Sequence, residues 1–525
     1  MAEQKIQRTK TIIVGAGFGG LGMAIALRES GEEDFLILER FSDVGGVWRD
    51  NRYPGCTCDV PSHLYSFSFA PYTSRRTRYP SQQNILRYLQ GVAIDYKVEN
   101  KIRLNTKVSK ASFQQNEGSW NIYTISEHSR AEIVYQAEIV IFATGQLHQP
   151  NYPQIPGLEG AAGSGFTGPI MHSAAWDHGI DLRNKRVSII GTGSSAAQML
   201  PALAERASEV TVYQREPHWV LPKPETYFNH VERLLLKLPG AHEVYRKALR
   251  HGADTLLSPI PRCRAWRYVV ECYAKHDLRR QVGDERLVRK LMPSYPLGSK
   301  RILFDNDFYT ALQRDNVKLI TGPIKSVTEN AVRSGPEDET QKDREVGTDV
   351  IILATGFRAA DSLLPVRVEG RHPHCLQKDW KEGPEAFLGL AIWGYPNLFM
   401  IAGPNSFNPA GSNPDMKELQ IAYIMRCLAW RKERLARTIE VKQRAILKYQ
   451  GWLDDEMGRT VWSGSVNSWY KHPSGKVISP WPASRRHFKK WLRNDPEKFF
   501  DTEPGDSLEA GQAIDVDLKL EDYSV

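Results

Sequence analysis

Apolar positions follow two rhythms along this chain. Residues 10–15 (KTIIVG) form a short continuous apolar run that stops at a glycine, the pattern of a buried strand entering a tight turn. From about Gly20 to Ser30 apolar residues recur at helical spacing, and DFLILER then predicts a second strand ending at Glu39. The same order returns from Lys185. KRVSIIG predicts a strand, Ala196 to about Ala207 a helix, and EVTVYQRE a strand that ends in Gln214-Arg215. Two more apolar runs, IVIFATG at 139–145 and VIILATG at 350–356, stop at the same Ala-Thr-Gly and predict two crossover points between domains. LFMIAGPNS at 398–406 predicts a late buried strand whose loop returns toward the sites formed by the glycine turns. From about Glu216 to Met292 strand alternation is absent, and Leu, Arg, His and Trp at helical spacing predict a helical insert. Residues 335–347 read as a solvated hairpin loop, and Asp415 to about Asp454 as helical.

The two βαβ units carry glycine turns of the kind that cradle a dinucleotide. The first is Gly15-Ala16-Gly17-Phe18-Gly19-Gly20, the second Gly191-Thr192-Gly193-Ser194-Ser195. Glycines let the backbone approach a pyrophosphate, and the following helix supplies free N–H donors. Glu39 stands about 20 residues past the first turn, where an acid accepts hydrogen bonds from a ribose 2′-hydroxyl. The second unit ends in Gln214-Arg215 instead, and a cation there pairs with a 2′-phosphate, which predicts NADPH over NADH. The fold class expected is α/β: two Rossmann-like dinucleotide-binding domains and a helical insert.

Composition narrows the classes without choosing among them. The chain has 525 residues, 41% apolar and 25% charged, ordinary for a globular protein of several domains. No apolar run approaches a membrane span, and the polar start MAEQKIQRTK shows no secretory signal, which favours the cytosol. Net charge is +8, but the last 25 residues carry eight acids and one lysine, so the body is more basic still. A basic body steers anionic cofactors. No basic-aromatic array or zinc module supports nucleic-acid binding. Of six cysteines only Cys56 and Cys58 are close, with no second pair to complete a metal site.

Three longer patterns resemble the single-chain, NADPH-using (type I) flavin-dependent Baeyer–Villiger monooxygenases. The family fingerprint F-x-G-x-x-x-H-x-x-x-W-(P/D) stands here as Phe166, Gly168, His172, Trp176 and Asp177. A second pattern matches Gly45-Gly46-Val47-Trp48 and Tyr53-Pro54-Gly55-Cys56-Thr57-Cys58-Asp59. A third matches Lys300-Arg301 and Arg314-Asp315-Asn316-Val317. The likeness runs from about residue 8 to 490, and departs at Lys471-His472-Pro473 and at Pro404-Asn405-Ser406-Phe407, both expected near substrate.

The resemblance implies FAD held by residues 1–146 with 356–525 (acidic tail after 501), and NADPH held by residues 147–355, with the insert at about 216–295 lining a substrate cleft. It implies the conversion of a ketone to an ester or lactone with O2 and NADPH through a C4a-peroxyflavin. Arg301 is then the cation that stabilises the peroxide and the oxyanion of the adduct, held by Asp59. For FAD the implied contacts are Gly15, Gly17, Phe18, Gly20, Glu39 and Arg40, then Gly46, Val47, Trp48, Asp59, Val60, Tyr65 and Val108. For NADPH they are Gly191, Thr192, Gly193, Ser194, Ser195, Gln214, Arg215, Lys300, Arg301 and Trp469. His172 is implied to act structurally, between domains. The nearest alternative is a sulfur- or nitrogen-oxygenating flavin monooxygenase, whose fingerprint lacks Trp176-Asp177. A flavin disulfide reductase needs a redox cysteine pair, for which Cys56-x-Cys58 is the only candidate. A non-catalytic nucleotide sensor has no reason to keep Asp59 with Arg301.

Overall fold

A computed structural model describes residues 6–504, apart from 73, 75, 128, 159–164, 338–341, 362 and 364. Two sheets dominate. The larger has eight strands, in the order Arg367–Glu369, Thr106–Gln114, Ser119–Ser126, Glu132–Phe142, Ile6–Val14, Phe35–Leu38 and Ile102–Arg103, while Leu398–Met400 pairs beside Glu132–Phe142. The second has five, all parallel: Val317–Ile320, Glu209–Tyr213, Arg186–Ile190, Val350–Leu353 and Ile170–His172.

Register brings the glycine turns to the carboxyl edges of the sheets, where open α/β sheets bind ligands. In the first sheet Val14 lies opposite both Leu38 and Phe142, so Gly15, Glu39 and Ala143 emerge side by side. In the second, Ile190 lies opposite Tyr213 and Leu353, and Leu353 opposite His172. Gly191, Gln214, Ala354 and Ser173 therefore emerge together.

Three expectations are corrected. The stretch Asp415–Asp454 is not one helical region: helix Asn413–Glu433 ends at Leu435 in a left-handed backbone conformation, strand Ala436–Val441 comes after it, and helix Gln443–Gly458 is next. The strand forms because the alternating, β-branched ARTIEV run meets Phe500–Pro504, a partner some 60 residues away that local patterning cannot reveal. The acidic tail accordingly begins later than Asp501, since Phe500–Pro504 is paired and Phe500 is buried; residues 505–525 lie outside the described set. The insert is helical only from His230. Before it, Val220–Leu221 pairs with Leu303–Phe304 as a two-stranded ribbon. The 335–347 segment does connect two antiparallel strands, Ala331–Ser334 and Arg344–Gly347, although residues 338–341 lie outside the described set.

The insert is tied to the rest of the molecule by charge. Asp415, 2% exposed at the start of helix Asn413–Glu433, meets three arginines: Arg246 at 4.0 Å, Arg250 at 2.7 Å, and Arg485. Arg246 also donates to the carbonyls of His63 and Ser66. Arg78 binds Glu232 at 2.7 Å and stacks over Phe228 at 4.4 Å.

Candidate active site

The first glycine turn is built so that side chains are excluded. Gly15 has φ +103°, and a Cβ there would lie 2.9 Å from the Ala143 carbonyl oxygen. A Cβ on Gly20 would lie 1.8 Å from the Gly15 carbonyl oxygen, so helix Phe18–Glu29 can enter the turn only with glycine at this position. Gly17 and Gly46 approach each other through bare Cα atoms. Glu39 is 6% exposed and accepts from the Ala16 N–H at 2.7 Å and the Phe41 N–H at 3.0 Å. Burial raises its pKa despite both bonds. Phe18, Trp48 and Tyr65 pack beside the turn, with Trp48 Nε1 donating to the Tyr65 hydroxyl at 3.1 Å. Val47 opens the short helix Val47–Asp50 behind Gly46, and Val60 packs against the same core. Arg40 is engaged by the His148 carbonyl, 3.1 Å away, and Val108 is buried within the sheet.

The second turn has the same logic. Gly191 has φ +112° and a Cβ there would meet the Ala354 carbonyl oxygen at 2.5 Å, whereas Gly193 faces open space at the start of helix Ser194–Ala204. Thr192 donates to the Glu216 carbonyl at 3.3 Å. Both cradles, each a glycine turn and a helix N-terminus above a closely packed strand end, fit a dinucleotide pyrophosphate. Beyond the sheet edge Arg215 is exposed, while Gln214 is buried and donates to the Lys290 carbonyl at 2.7 Å. Lys300 is ion-paired with Glu216, an acid directly after the Gln214-Arg215 pair, and its ammonium lies 4.9 Å from the Tyr295 ring centre.

Between the two turns sits the ion pair. Asp59 and Arg301 are 242 residues apart, and Arg301 Nη2 lies 2.8 and 2.7 Å from the two Asp59 oxygens. The loop bearing Asp59 is pinned on both sides, by Cys58 N–H to the Pro80 carbonyl and Ser62 N–H to the Arg78 carbonyl. The Asp59 carboxylate raises the proton affinity of Arg301 above its already high ordinary value. No other hydrogen bond engages this guanidinium among the described residues, so its remaining N–H groups are available to a ligand. The Phe407 ring lies 5.9 Å from it. Phe407 in turn packs edge-on against Trp469 at 5.2 Å.

A narrow cleft, lined by neither Arg301 nor Asp59 themselves, opens next to the chain on either side of Arg301. Lys300 and Ile302, the sequence neighbours of Arg301, line it, together with Leu257, Ile260 and Pro261 of the insert, Trp462, Trp481 and Tyr470. The Tyr470 hydroxyl is buried without a hydrogen-bond partner. Sequence reasoning stopped one residue short, at Trp469. A second missed residue is Gln198, whose amide oxygen accepts from Tyr53 at 2.9 Å and whose nitrogen donates to the Thr57 carbonyl at 3.1 Å. Gly55, with φ +78°, sits where a Cβ would be 2.2 Å from the Gln198 carbonyl oxygen. The Asp59 loop thus docks on the helix of the second glycine turn, a contact no local pattern announces.

The Phe166–Asp177 segment touches none of this chemistry directly. Gly168 is required because a Cβ there would lie 2.4 Å from the Asp349 carbonyl oxygen. Trp176 is buried in one cluster with Met199, Tyr53 and Cys56, joining the second sheet to the Asp59 loop. Asp177 caps its own turn, accepting from the Gly179 N–H at 2.8 Å. His172 is 1% exposed, accepts from the Ala174 N–H at 3.1 Å, and packs against Tyr152 and Phe357.

Burial lowers the pKa of His172 from 6.5 to about 4, and His63, His148 and His218 are depressed to the same value. Between pH 6.5 and 4 the unfolded chain binds protons that the folded chain refuses. Their contribution to stability is therefore complete above pH 6.5 and is lost as pH falls toward 4. The thermal midpoint of a His172→Gln variant is expected to fall less steeply over this window than that of the parent. Identical slopes would place the titration elsewhere.

Cys56 and Cys58 are free and buried, and burial pushes the Cys56 thiol up to about 11 and Cys58 well above its usual range. Thiols held protonated in this way make no redox pair. Among the described residues no cluster of metal-ligating side chains occurs, and no helix is long and apolar enough to cross a membrane.

Comparison with known proteins agrees with this geometry. The family described as "Pyridine nucleotide-disulphide oxidoreductase" matches residues 12–231. A Baeyer–Villiger monooxygenase of Pseudomonas aeruginosa is 37% identical over 487 residues, covering 92% of this chain and 89% of the relative. One from Streptomyces coelicolor is 34% identical, covering 94% and 92%. A solved structure described as oxidized steroid monooxygenase bound to NADP superposes with a TM-score of 0.83 at 28% identity, covering 95% of this chain and all of that one. The paired nucleotide cradles, the Asp59–Arg301 ion pair between them and a likeness spanning nearly the whole chain agree. This protein belongs to the Baeyer–Villiger monooxygenases, which use FAD, NADPH and O2 to turn ketones into esters or lactones.

Proposed function

We propose that Arg301, positioned by Asp59, is the catalytic residue of this enzyme and that its ketone binds in the cleft lined by Leu257, Ile260, Pro261, Trp462 and Tyr470. The observation that carries this reading is the Arg301–Asp59 pair, at 2.7 and 2.8 Å, beside an apolar cleft and between two glycine cradles. When bound, FAD would take electrons from NADPH and pass them to O2, one oxygen atom going to the ketone and the other to water. The chain's own work is to hold a permanent positive charge where negative charge develops on the attacked carbonyl oxygen. Asp59 uses one face of the guanidinium and leaves the other N–H groups for that oxygen. Tyr470, with a buried and unpartnered hydroxyl, is the second donor within the cleft.

FAD is assigned to the first sheet, with Glu39 on the ribose and Gly15, Gly17 and Gly20 under the pyrophosphate. NADPH is assigned to the second, with Gly191 to Ser195 under its pyrophosphate and Arg215 with Lys300 at the 2′-phosphate. Lys300 must then share itself between that phosphate and Glu216. The strand membership of the two sheets supports a division in which 1–146 with 356–525 hold FAD and 147–355 hold NADPH. A cytoplasmic setting fits six free cysteines.

Aerobic incubation of the holoenzyme and NADPH with a panel of ketones and sulfides, read by product mass, tests the reading. Gain of one oxygen by ketones, with ester fragments on hydrolysis, is expected. Oxygenation of sulfides alone would move the enzyme to the heteroatom class.

A further inference from the structure

The helical insert shows its apolar stripes to solvent. In helix His230–Leu235 and the turn after it, Val231, Leu234, Leu235 and Leu238 recur at i, i+3, i+4 and i+7, the spacing of a face made for burial, yet they are 55% to 63% exposed. In helix Arg264–Gln281, Val269 and Tyr273 stand one turn apart and are 54% and 53% exposed, with Tyr268 beside them at 64%. Ten of the eighteen large apolar side chains exposed among the described residues fall between Tyr227 and Tyr273. Such a concentration marks a contact surface.

Charge identifies the occupant. Residues 223–290 hold fifteen Lys and Arg against eight Asp and Glu, close to the whole chain's net charge of +8. Two copies meeting through this face would bring like charges together. An anionic lipid surface takes both features, because Leu and Val enter the acyl boundary, tyrosines settle at headgroup depth, and flanking cations such as Arg233, Lys237 and Arg264 reach the phosphates.

We infer that the insert docks the enzyme on the surface of an anionic membrane, through the apolar faces at 231–238 and 268–273. The helical run from Ala241 ends at Leu257, which lines the cleft. The docking element and the cleft are thus parts of one insert, which suits a lipid-dissolved ketone; this second step rests on the cleft assignment above, whereas the docking itself does not.

The test is sedimentation of the FAD-loaded enzyme with vesicles of phosphatidylcholine alone or with added phosphatidylglycerol. Binding is expected to the anionic vesicles, to weaken with rising ionic strength, and to fall by about tenfold or more in a Leu234→Glu, Leu235→Glu variant and separately in Val269→Glu, since each places a charge at the acyl boundary. Oxygenation of a water-soluble ketone is expected to be unchanged in both variants, which also reports that they are folded. Three results would overturn the inference: no sedimentation with anionic vesicles at low salt; binding indifferent to both variants; or a dimer in light scattering that the same variants dissolve, which would assign the face to a second copy. Loss of ketone oxygenation activity with vesicle binding intact would sink the proposed function and leave the docking standing.

Discussion

Replacing Arg301 with alanine is expected to abolish ester formation while NADPH still reduces the bound flavin. Arg301 is one of the implied NADPH contacts, but the two cradles that hold the cofactors are built without its side chain, one on Gly15 to Gly20, the other on Gly191 to Ser195. Oxygen insertion needs a donor where charge develops. Removing one such donor costs about 100- to 1,000-fold in rate, and here a full charge is removed with it. Asp59, only 14% exposed, is then left as an uncompensated anion beside the cleft and repels the charge its partner would have stabilised. Anaerobic stopped-flow reduction and product analysis by mass separate the two half-reactions. Ester formation at a near-parental rate in the variant would remove Arg301 from catalysis. Lysine is a poor substitute, since a single ammonium cannot bind Asp59 and still present a second planar donor edge.

The largest effect on stability is expected from Asp415→Ala. This carboxylate is buried and holds Arg246, Arg250 and Arg485 at once. Arg246 is itself only 7% exposed, and burial already lowers its proton affinity. Without Asp415 the largely buried Arg485 loses its carboxylate partner and Arg246 loses one of two, with Glu418 remaining near Arg246 at 4.0 Å. Breaking a buried ion pair by removing one partner costs about 3–5 kcal/mol. The loss should concentrate where helix Ala241–Gly252 meets helix Asn413–Glu433, so amide exchange is expected to accelerate in the insert before the two sheets respond. A thermal midpoint equal to the parent's, with exchange unchanged in the insert, would show that the cluster contributes nothing net.

Much of the cofactor machinery was legible in the chain because its determinants are local. A strand that stops at glycine, a helix whose first turn admits no Cβ, and an acid or a cation at the next strand end all lie within about 30 residues of each other. Helix and strand type agreed with periodicity in both βαβ units. The strand Ala436–Val441 was not legible, since its partner arrives 60 residues later and the flanking helices dominate the window. Glu216 was passed over because the pattern was read to the strand end, one residue before the acid that takes Lys300.

Local pattern was enough to specify two glycine turns of the dinucleotide-binding kind and, through Phe166–Asp177, the family. It was enough because those signals are backbone requirements, such as the room Gly20 and Gly168 leave for nearby carbonyl oxygens. The role of the Phe166–Asp177 segment came from packing alone: it sets Trp176 against the Asp59 loop and keeps His172 buried and neutral, away from the chemistry. Folding also made Asp59 and Arg301 a pair, left Tyr470 unpartnered in the cleft, and turned the insert's apolar stripes outward. These are matters of distance between residues remote in sequence, and of which face of a helix finds a neighbour. Periodicity records that a helix has an apolar face; packing alone decides whether that face meets a core or solvent.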